Sequence, residues 1–457
     1  MAELLTKIGS VECPHYHLVP KGYDANLAFR GMILDRGGED PEFREAIRQI
    51  CKEDPLFYIN VFGWTYDPRE KNPVLPFITY GFQDRAILEI LDCINVGEDF
   101  VVPKSRAMGA SWMGLTAFEY LWHFFSNQSF LLISRTEAYV DETENPKSLF
   151  WKIDFLHKYQ PKWLLPRNRH LIDGDPGRKK LHLLNADNGS VIDGEATTGD
   201  AGRGDRRTAM FIDEHAAFGL DDGFKVLRAS RDTTNCRGFN STPQGANNAF
   251  YEVAHNSSAR RIRLHWRDHP VYNKGMYTFD EEGKVELLDD WTGKVRVQKK
   301  GEPVKEVEYP KCYPFIVDGR WKIRSPWFDN QCARCVSEME IAQELEIDFL
   351  GSDFQFFDPE TIELLRMKTA QTPLMRGDLT YDRELRRPPG FFPSEDGSLH
   401  LWTTLPDGSS PSATRKFVIG ADISAGTGAS NSVASVVEVT TGEKVAVLRT
   451  PTMRPNS

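Results

Sequence analysis

The spacing of hydrophobic and polar residues changes several times along this chain, and the changes mark its parts. Over "PEFREAIRQICKEDPLF", Pro41 to Phe57, apolar residues recur at Phe43, Ile47 and Ile50 behind a proline in the first turn, which predicts a helix. "ITYGFQDRAILEILD", Ile78 to Asp92, predicts a second helix beginning near Phe82 or Gln83. Beyond it, short continuous apolar runs alternate with helical patterns. Phe100 to Val102, "SFLLIS" (Ser129 to Ser134), "KLHLLNA" and "TAMFID" (Thr208 to Asp213) read as strands, while Ala110 to Phe125 and Glu142 to Tyr159 read as helices. Strands alternating with helices of this length predict an α/β core with a mostly parallel sheet covered on both faces, over about Pro76 to His255.

The flanks follow other patterns. The first forty residues, rich in Gly, Pro and His, have little periodicity and read as an extended arm. Tyr277 to Glu308 alternates charged and apolar residues, and the turn signals Glu282-Gly283 and Thr292-Gly293 predict antiparallel hairpins. Trp327 to Phe349 returns to helical spacing. "RGDLTYDRELRRPPGFFPSEDGS" is polar and rich in Pro and Gly, as expected of a linker, and Phe417 to Asp422 and Ser432 to Val439 read as strands around the turn "ISAGTGASN".

Composition narrows the picture. A chain of 457 residues should make two or three domains, and 40% hydrophobic residues suffice for a large core. The net charge of −10 excludes a basic coat over the whole surface, so a polyanionic partner would have to meet a local patch. Seven cysteines, an odd and scattered set, fit reduced thiols better than a disulfide framework. No stretch approaches the ~18 apolar residues of a spanning helix, and the N-terminus lacks a basic region followed by an apolar run, so neither membrane insertion nor secretion is expected.

The candidate chemistry centres on "VVPKSRAMGASWMG", Val101 to Gly114, which has the strand, small-residue turn and helix order of a phosphate-binding loop. Gly109 and Ser111 occupy the second glycine and the hydroxyl of that motif, but Ala110 stands where the lysine belongs and Lys104 where the first glycine belongs. The amides of Met108, Gly109 and Ala110 can meet phosphate oxygens and Ser111 can supply the magnesium ligand, with Lys104 or Arg106 as the cation on the near rim. In "TAMFIDE" four hydrophobic residues run straight into Asp213 and Glu214. Two carboxylates at the tip of a buried strand call for a cation, and on a strand beside the loop they would serve as magnesium holder and water activator.

Other residues fit the same site. The Gln83 amide can read an adenine edge; Arg203, Arg206 and Arg207 in "AGRGDRR" can supply an arginine finger in cis or to a neighbouring subunit, or else form a solvated basic loop; and "NSTPQG", Asn240 to Gly245, can sense a terminal phosphate or simply turn the chain. Cys332 and Cys335, with Cys312 and His265, make a poor zinc set, because no second C-x-x-C exists. His15 and His17 read as ordinary surface histidines of the arm.

In this order, Gln83, "KSRAMGASW", "SRTEAYVDETENPKSLFWKI", "RGDRRTAMFIDEHAAF" and "STPQG" resemble the ATPase of the large terminase subunit of tailed bacteriophages, and "RSPWFDNQCARC" and "IAQELEIDFLGSDFQFF" continue the likeness into the lid region behind it. The resemblance implies a P-loop ATPase of the ASCE type with a small lid subdomain, and a motor that drives double-stranded DNA into procapsids using ATP and Mg2+. It implies a homo-oligomeric ring, a portal protein and a small terminase subunit as partners, and the host cytoplasm as location. Some branches of that family carry the phosphate-gripping lysine at the front of the loop. Lys104 thereby becomes the catalytic cation with Arg106 assisting, Ser105 to Trp112 the nucleotide loop, Asp213 and Glu214 the acidic pair, Ser241 and Thr242 the coupling motif, and Arg203 the arginine finger.

The family also carries a C-terminal nuclease of ribonuclease H-like fold, whose first strand bears an aspartate in a context like "GADISAGTG"; Asp422 matches it. Its other acidic ligands are not among the 457 residues, so an incomplete metal site without nuclease activity is expected. The implied organisation is an N-terminal arm and helix (1–75), ATPase core (76–256), lid with a hairpin insertion (257–375), linker (376–415) and the start of the nuclease (416–457). Two alternatives stay open: a helicase-like ATPase stimulated by nucleic acid, and a degenerate nucleotide-binding scaffold. The arginines of "ARRIRLHWR", with Arg228, Arg231 and Arg237, are candidates for a DNA track.

Overall fold

The computed structural model describes residues 6–170, 174–197, 202, 204–298, 303–351, 366–380, 390–404, 414–423 and 431–451. The chain divides into two units, Met1–Phe354 and Gln355–Ser457. The first is built on an eight-stranded sheet. Its strands are β1 (Phe100–Pro103), β2 (Ser129–Ser134), β3 (Arg178–Lys179), β4 (His182–Leu184), β5 (Val191–Ala196), β6 (Ala209–Asp213), β7 (Arg237–Ser241) and β8 (Arg260–Arg261). They lie in the order β8-β1-β7-β6-β2-β5-β4-β3. All pairings from β8 to β5 are parallel, and β5, β4 and β3 close one edge as an antiparallel meander.

The continuous apolar runs of β1, β2 and β6 follow from this burial. Alternate residues point to opposite faces: Phe130, Leu132, Ala209 and Phe211 join one core, and Leu131, Ile133, Met210 and Ile212 the other. The helices Gly81–Val96, Ala110–Phe124 and Leu149–Lys158 cover the first face, and Leu220–Ala229 and Ala249–Asn256 the second. Gly114 lets the helix Ala110–Phe124 lie close on β6, since a Cβ there would sit 2.5 Å from the Phe211 ring.

Several expectations need correction. The N-terminal segment is no extended arm: Tyr23–Glu39 is a helix, Cys13 and Tyr16 are fully buried, and His15 Nε2 lies 3.5 Å from Glu53. The helix expected over Pro41 to Phe57 is two, Pro41–Glu53 and Pro55–Phe62, because Pro55 forces Asp54 out of helical backbone and Asp54 caps the second. Glu142 to Tyr159 is helical only over Leu149–Lys158, capped by Ser148. Trp327 to Phe349 breaks at Cys335 into Pro326–Arg334, a short turn of helix and a π-helical turn at Ala342–Glu346. The hairpin region contains two hairpins, Tyr277–Phe279 with Val285–Leu287 and Gly293–Val297 with Lys305–Tyr309.

The second unit is a six-stranded sheet in the order Gly390–Pro393, Met375–Thr380, Leu399–Leu401, Lys444–Thr450, Ser432–Glu438, Phe417–Asp422, with every pairing antiparallel. Residues expected to form a linker, 376–415, therefore supply strands; these are short and flanked by Pro and Gly, which hides their alternation.

Candidate active site

The C-terminal ends of β1, β7, β6 and β2 meet at one edge of the sheet. Ser241 lies beside Pro103, Asn240 beside Asp213, and Ile212 beside Ile133. Crevices outside these strand ends are where open α/β sheets bind ligands. The loop and the acidic doublet do not sit on adjacent strands as expected, because β7 lies between them. Two strand spacings, about 10 Å, separate their backbones, and long side chains close that gap.

The loop turns through two left-handed residues, Ala107 (φ 62°) and Gly109 (φ 79°), into the helix Ala110–Phe124. No side chain caps that helix, so its first amides remain for an anion. In the first turn of that helix, Ser111 Oγ donates to Asp213, at 3.1 and 3.0 Å from the two carboxylate oxygens. Asn240, on the intervening strand, donates to Asp213 Oδ1 at 2.5 Å. Lys104 Nζ donates to Glu214 Oε1 at 2.8 Å, and Ser241 Oγ lies 3.5 Å from Glu214 Oε2.

The two carboxylates are in opposite electrostatic states. Burial, then the neighbouring Glu214 charge, pushes Asp213 above the usual carboxylate range despite Lys104 and Asn240. Burial would also raise Glu214, but the Lys104 charge and hydrogen bond, with Arg135, hold it below that range. Lys104 loses solvation too, yet Glu214 and Asp213 outweigh this and raise its pKa. Glu214 itself sits at φ 55°, so strained non-glycine backbone flanks the site on both sides, here and at Ala107.

Between these groups lies a cleft of about 450 Å³. Five cations (Lys104, Arg106, Arg135, Lys147, Lys152) face three carboxylates (Asp213, Glu214, Glu344) across it. An excess of positive charge beside a raised, hydroxyl-bonded aspartate fits a polyphosphate accompanied by a divalent cation.

Other sequence candidates are placed differently. Gln83 does not offer its amide to the cleft: Oε1 accepts from the Tyr80 amide at 3.0 Å and Nε2 donates to the Met108 carbonyl at 3.2 Å, so it braces the loop from beneath. Ser105 is buried and donates to the Leu345 carbonyl, Met108 is buried, and Trp112 packs on Phe155. Arg106 is exposed and pairs with Glu344 at 3.2 Å. Thr242 lines the cleft. Arg203 lies outside the described residues. Arg207 stands at the opposite end of the sheet, beside Ser129 at the start of β2, and pairs with Asp193, which excludes it as a finger on its own site; Arg206 is exposed.

Among the proposed DNA-track arginines, Arg237, Arg260 and Arg267 hold Asp99, Asp92 and Glu346 at 2.5, 2.7 and 2.7 Å. Arg228, Arg231, Arg261 and Arg263 are exposed. Asp422 ends an exposed strand of the second unit, and among the described residues it joins no cluster of potential metal ligands.

One such cluster does exist, buried under the loop helix. Glu119 Oε1 lies 2.9 Å from His123 Nδ1 and 3.0 Å from His157 Nε2. The chemistry is wrong for a metal. His157 Nδ1 lies 3.1 Å from Arg169 Nε, a group that only donates, so the imidazole proton belongs on Nε2, the atom a metal would need. The cluster is a closed polar network: Tyr58 donates to Glu119, and Arg169 continues to Asp154 and Asp175.

Sequence reasoning missed Asn240 as the brace of Asp213, and Arg135 and Lys152 as cleft cations. The visible signal for the last is a cation in the first turn of an otherwise apolar helix start, "SLFWKI".

The site thus belongs to a parallel α/β sheet that gathers a cation, a helix-borne hydroxyl and an acidic doublet at its C-terminal edge. The solved structures similar to it named below are large terminases of bacteriophages. That of bacteriophage HK97 matches at 11% identity and a TM-score of 0.40 over 85% of this chain and 65% of that one, so the present chain spans slightly less than two thirds of its length. The large terminase of a thermophilic bacteriophage, in complex with ATP-gamma-S, matches at 12% identity and a TM-score of 0.26, over 49% of this chain and 67% of that one. The same thermophilic phage protein with ADP matches at 12% identity and a TM-score of 0.29, over 65% and 82%. No family model and no curated protein matches the sequence. Function has to be read from the site itself.

Proposed function

We propose that this chain is a magnesium-dependent ATPase that translocates double-stranded DNA, the motor subunit of a phage genome-packaging machine of the large terminase kind. The observation that carries the reading is the convergence, across an inserted strand, of Ser111 with Asp213 and of Lys104 with Glu214. In the P-loop scheme Lys104 and the amides opening the loop helix bind the β- and γ-phosphates, assisted by Arg106. Ser111 and Asp213 would hold the magnesium ion, which supplies charge neutralisation at the phosphates. Glu214 orients and polarises the attacking water, and Ser241 and Thr242, at the end of the strand between loop and doublet, report the state of the terminal phosphate.

The motor reading adds a ring of copies, the portal protein, the small terminase subunit and DNA. Arg207 is fixed at the far end of the sheet, so Arg203 is the first candidate for the finger, in cis or to a neighbouring subunit. Asp422 would be one ligand of a nuclease metal site. The test is ATP hydrolysis with and without magnesium, in the presence of duplex or single-stranded DNA. Magnesium-dependent turnover raised by duplex DNA supports the motor; stimulation by single strands alone favours a helicase-like enzyme. No turnover at saturating ATP and magnesium sinks the ATPase reading.

A further inference from the structure

Within the cleft, Lys152 is placed where, among the described residues, no carboxylate pairs with it directly. It sits in the first turn of the helix Leu149–Lys158, where the helix dipole disfavours a cation. Its ammonium donates only to the Lys147 and Ser148 carbonyls, at 2.8 and 3.3 Å, and no carboxylate lies within ion-pair distance among the described residues. It lines the same cleft as Lys104, Asp213 and Glu214, but from a different wall: Lys104 follows β1, whereas Lys152 enters from the helix beyond β2. Burial is the main reason its pKa falls to about 8, with Lys104 adding repulsion and the acidic doublet opposing. A half-buried lysine held by carbonyls, facing another lysine, has an unmet demand for an anion.

We infer that Lys152 is a second phosphate-binding cation, gripping the terminal phosphate of the bound nucleotide from the helix that packs beside the loop helix. This rests on the triphosphate reading of the cleft. Arg135 and Lys147 are exposed at the mouth, while Lys152 is the more enclosed of these three. The amides of the loop helix serve the inner phosphates, whereas Lys152 shares the cleft with Lys104, Asp213 and Glu214, the groups assigned to the outermost phosphate and its water. Lys152 thereby becomes a determinant of triphosphate over diphosphate.

The test is titration of the full chain with Mg-ATP and Mg-ADP, comparing wild type, Lys152→Ala and Lys152→Arg, with circular dichroism to check folding. Lys152→Ala should weaken ATP about tenfold or more and leave ADP within about threefold, and Lys152→Arg should restore most of the ATP affinity. Equal losses for both nucleotides, or failure of arginine to restore a folded variant, would show a structural role and overturn the inference. So would unchanged ATP binding by Lys152→Ala beside a wild type that binds ATP, leaving the ATPase reading intact. A wild type that binds neither nucleotide removes the ATPase reading itself, and the inference with it.

Discussion

The ammonium of Lys104 lies 2.8 Å from Glu214 Oε1, reaching across the strand that separates the phosphate loop from the acidic doublet. The pair ties the expected phosphate cation to the expected water-activating base, so a nucleotide that draws Lys104 toward its phosphates frees Glu214 for water. Exchange of partners makes the two residues separable by mutation. Glu214→Gln keeps the shape and most of the hydrogen bonding but cannot take a proton. It should lower kcat by about 10²- to 10⁴-fold while nucleotide affinity holds or improves.

Lys104→Ala removes charge from the ground state as well. It should weaken Mg-ATP binding and abolish turnover together, whereas Arg106→Ala should cost far less, because Arg106 is exposed and engaged by Glu344. Parallel binding titrations and steady-state assays read the difference. If Lys104→Ala hydrolyses ATP normally while Arg106→Ala does not, the assignment of the cation is reversed.

The Ser111 hydroxyl touches both oxygens of Asp213, so the pair can act as one divalent-cation grip. Ser111→Ala should raise the magnesium concentration needed for half-maximal hydrolysis by about an order of magnitude, with excess magnesium restoring much of the rate. Ser111→Thr should stay close to wild type. An unchanged magnesium requirement in Ser111→Ala would move the metal away from this hydroxyl.

These predictions draw on residues that are visible in the sequence, and other parts of the site are hidden there. "TAMFIDE" and "GAS" announce themselves because a buried strand ending in acids and a left-handed glycine before a helix are locally costly. The order of the strands is not local: nothing near Asp213 says that Arg237–Ser241 pairs on one side of it and Ser129–Ser134 on the other. Gln83 misleads for the same reason. A buried glutamine at a helix start looks free until the Met108 carbonyl is placed over its amide. β5 is hard to see because "VIDGEA" mixes polar residues into a strand flanked on one side by the edge meander.

Gln83 and Gly109 make a stability prediction of their own. Gly109 has φ 79°, and a Cβ there would stand 2.9 Å from Gln83 Nε2. Gly109→Ala should therefore cost about 1 to 2 kcal/mol of stability, through strained backbone and displacement of the Gln83 brace. Gln83→Ala should cost less in stability yet raise KM for ATP by loosening the loop. Thermal melting and steady-state kinetics on the two variants would separate the effects; equal melting temperatures for Gly109→Ala and wild type would contradict this loop geometry.

The buried Glu119 network predicts a pH dependence of folding. Burial alone would raise the Glu119 pKa, but hydrogen bonds from His123 and His157 outweigh it and bring it to about 2. A carboxylate whose folded pKa is depressed stabilises the protein above its unfolded value, near 4.5, and that contribution fades as pH falls toward about 2. The shift corresponds to stability on the order of 3 kcal/mol at neutral pH. His157, whose pKa burial lowers, acts in the same direction, because it must take up a proton in acid. Glu119→Gln should be strongly destabilising at pH 7, since it leaves His123 and His157 facing a weakened partner, and the gap to wild type should close as the pH is lowered. Urea denaturation at a series of pH values between about 7 and 3 measures this. A gap that stays constant across that window would mean that Glu119 carries no ionic stabilisation and that the cluster is held by packing alone.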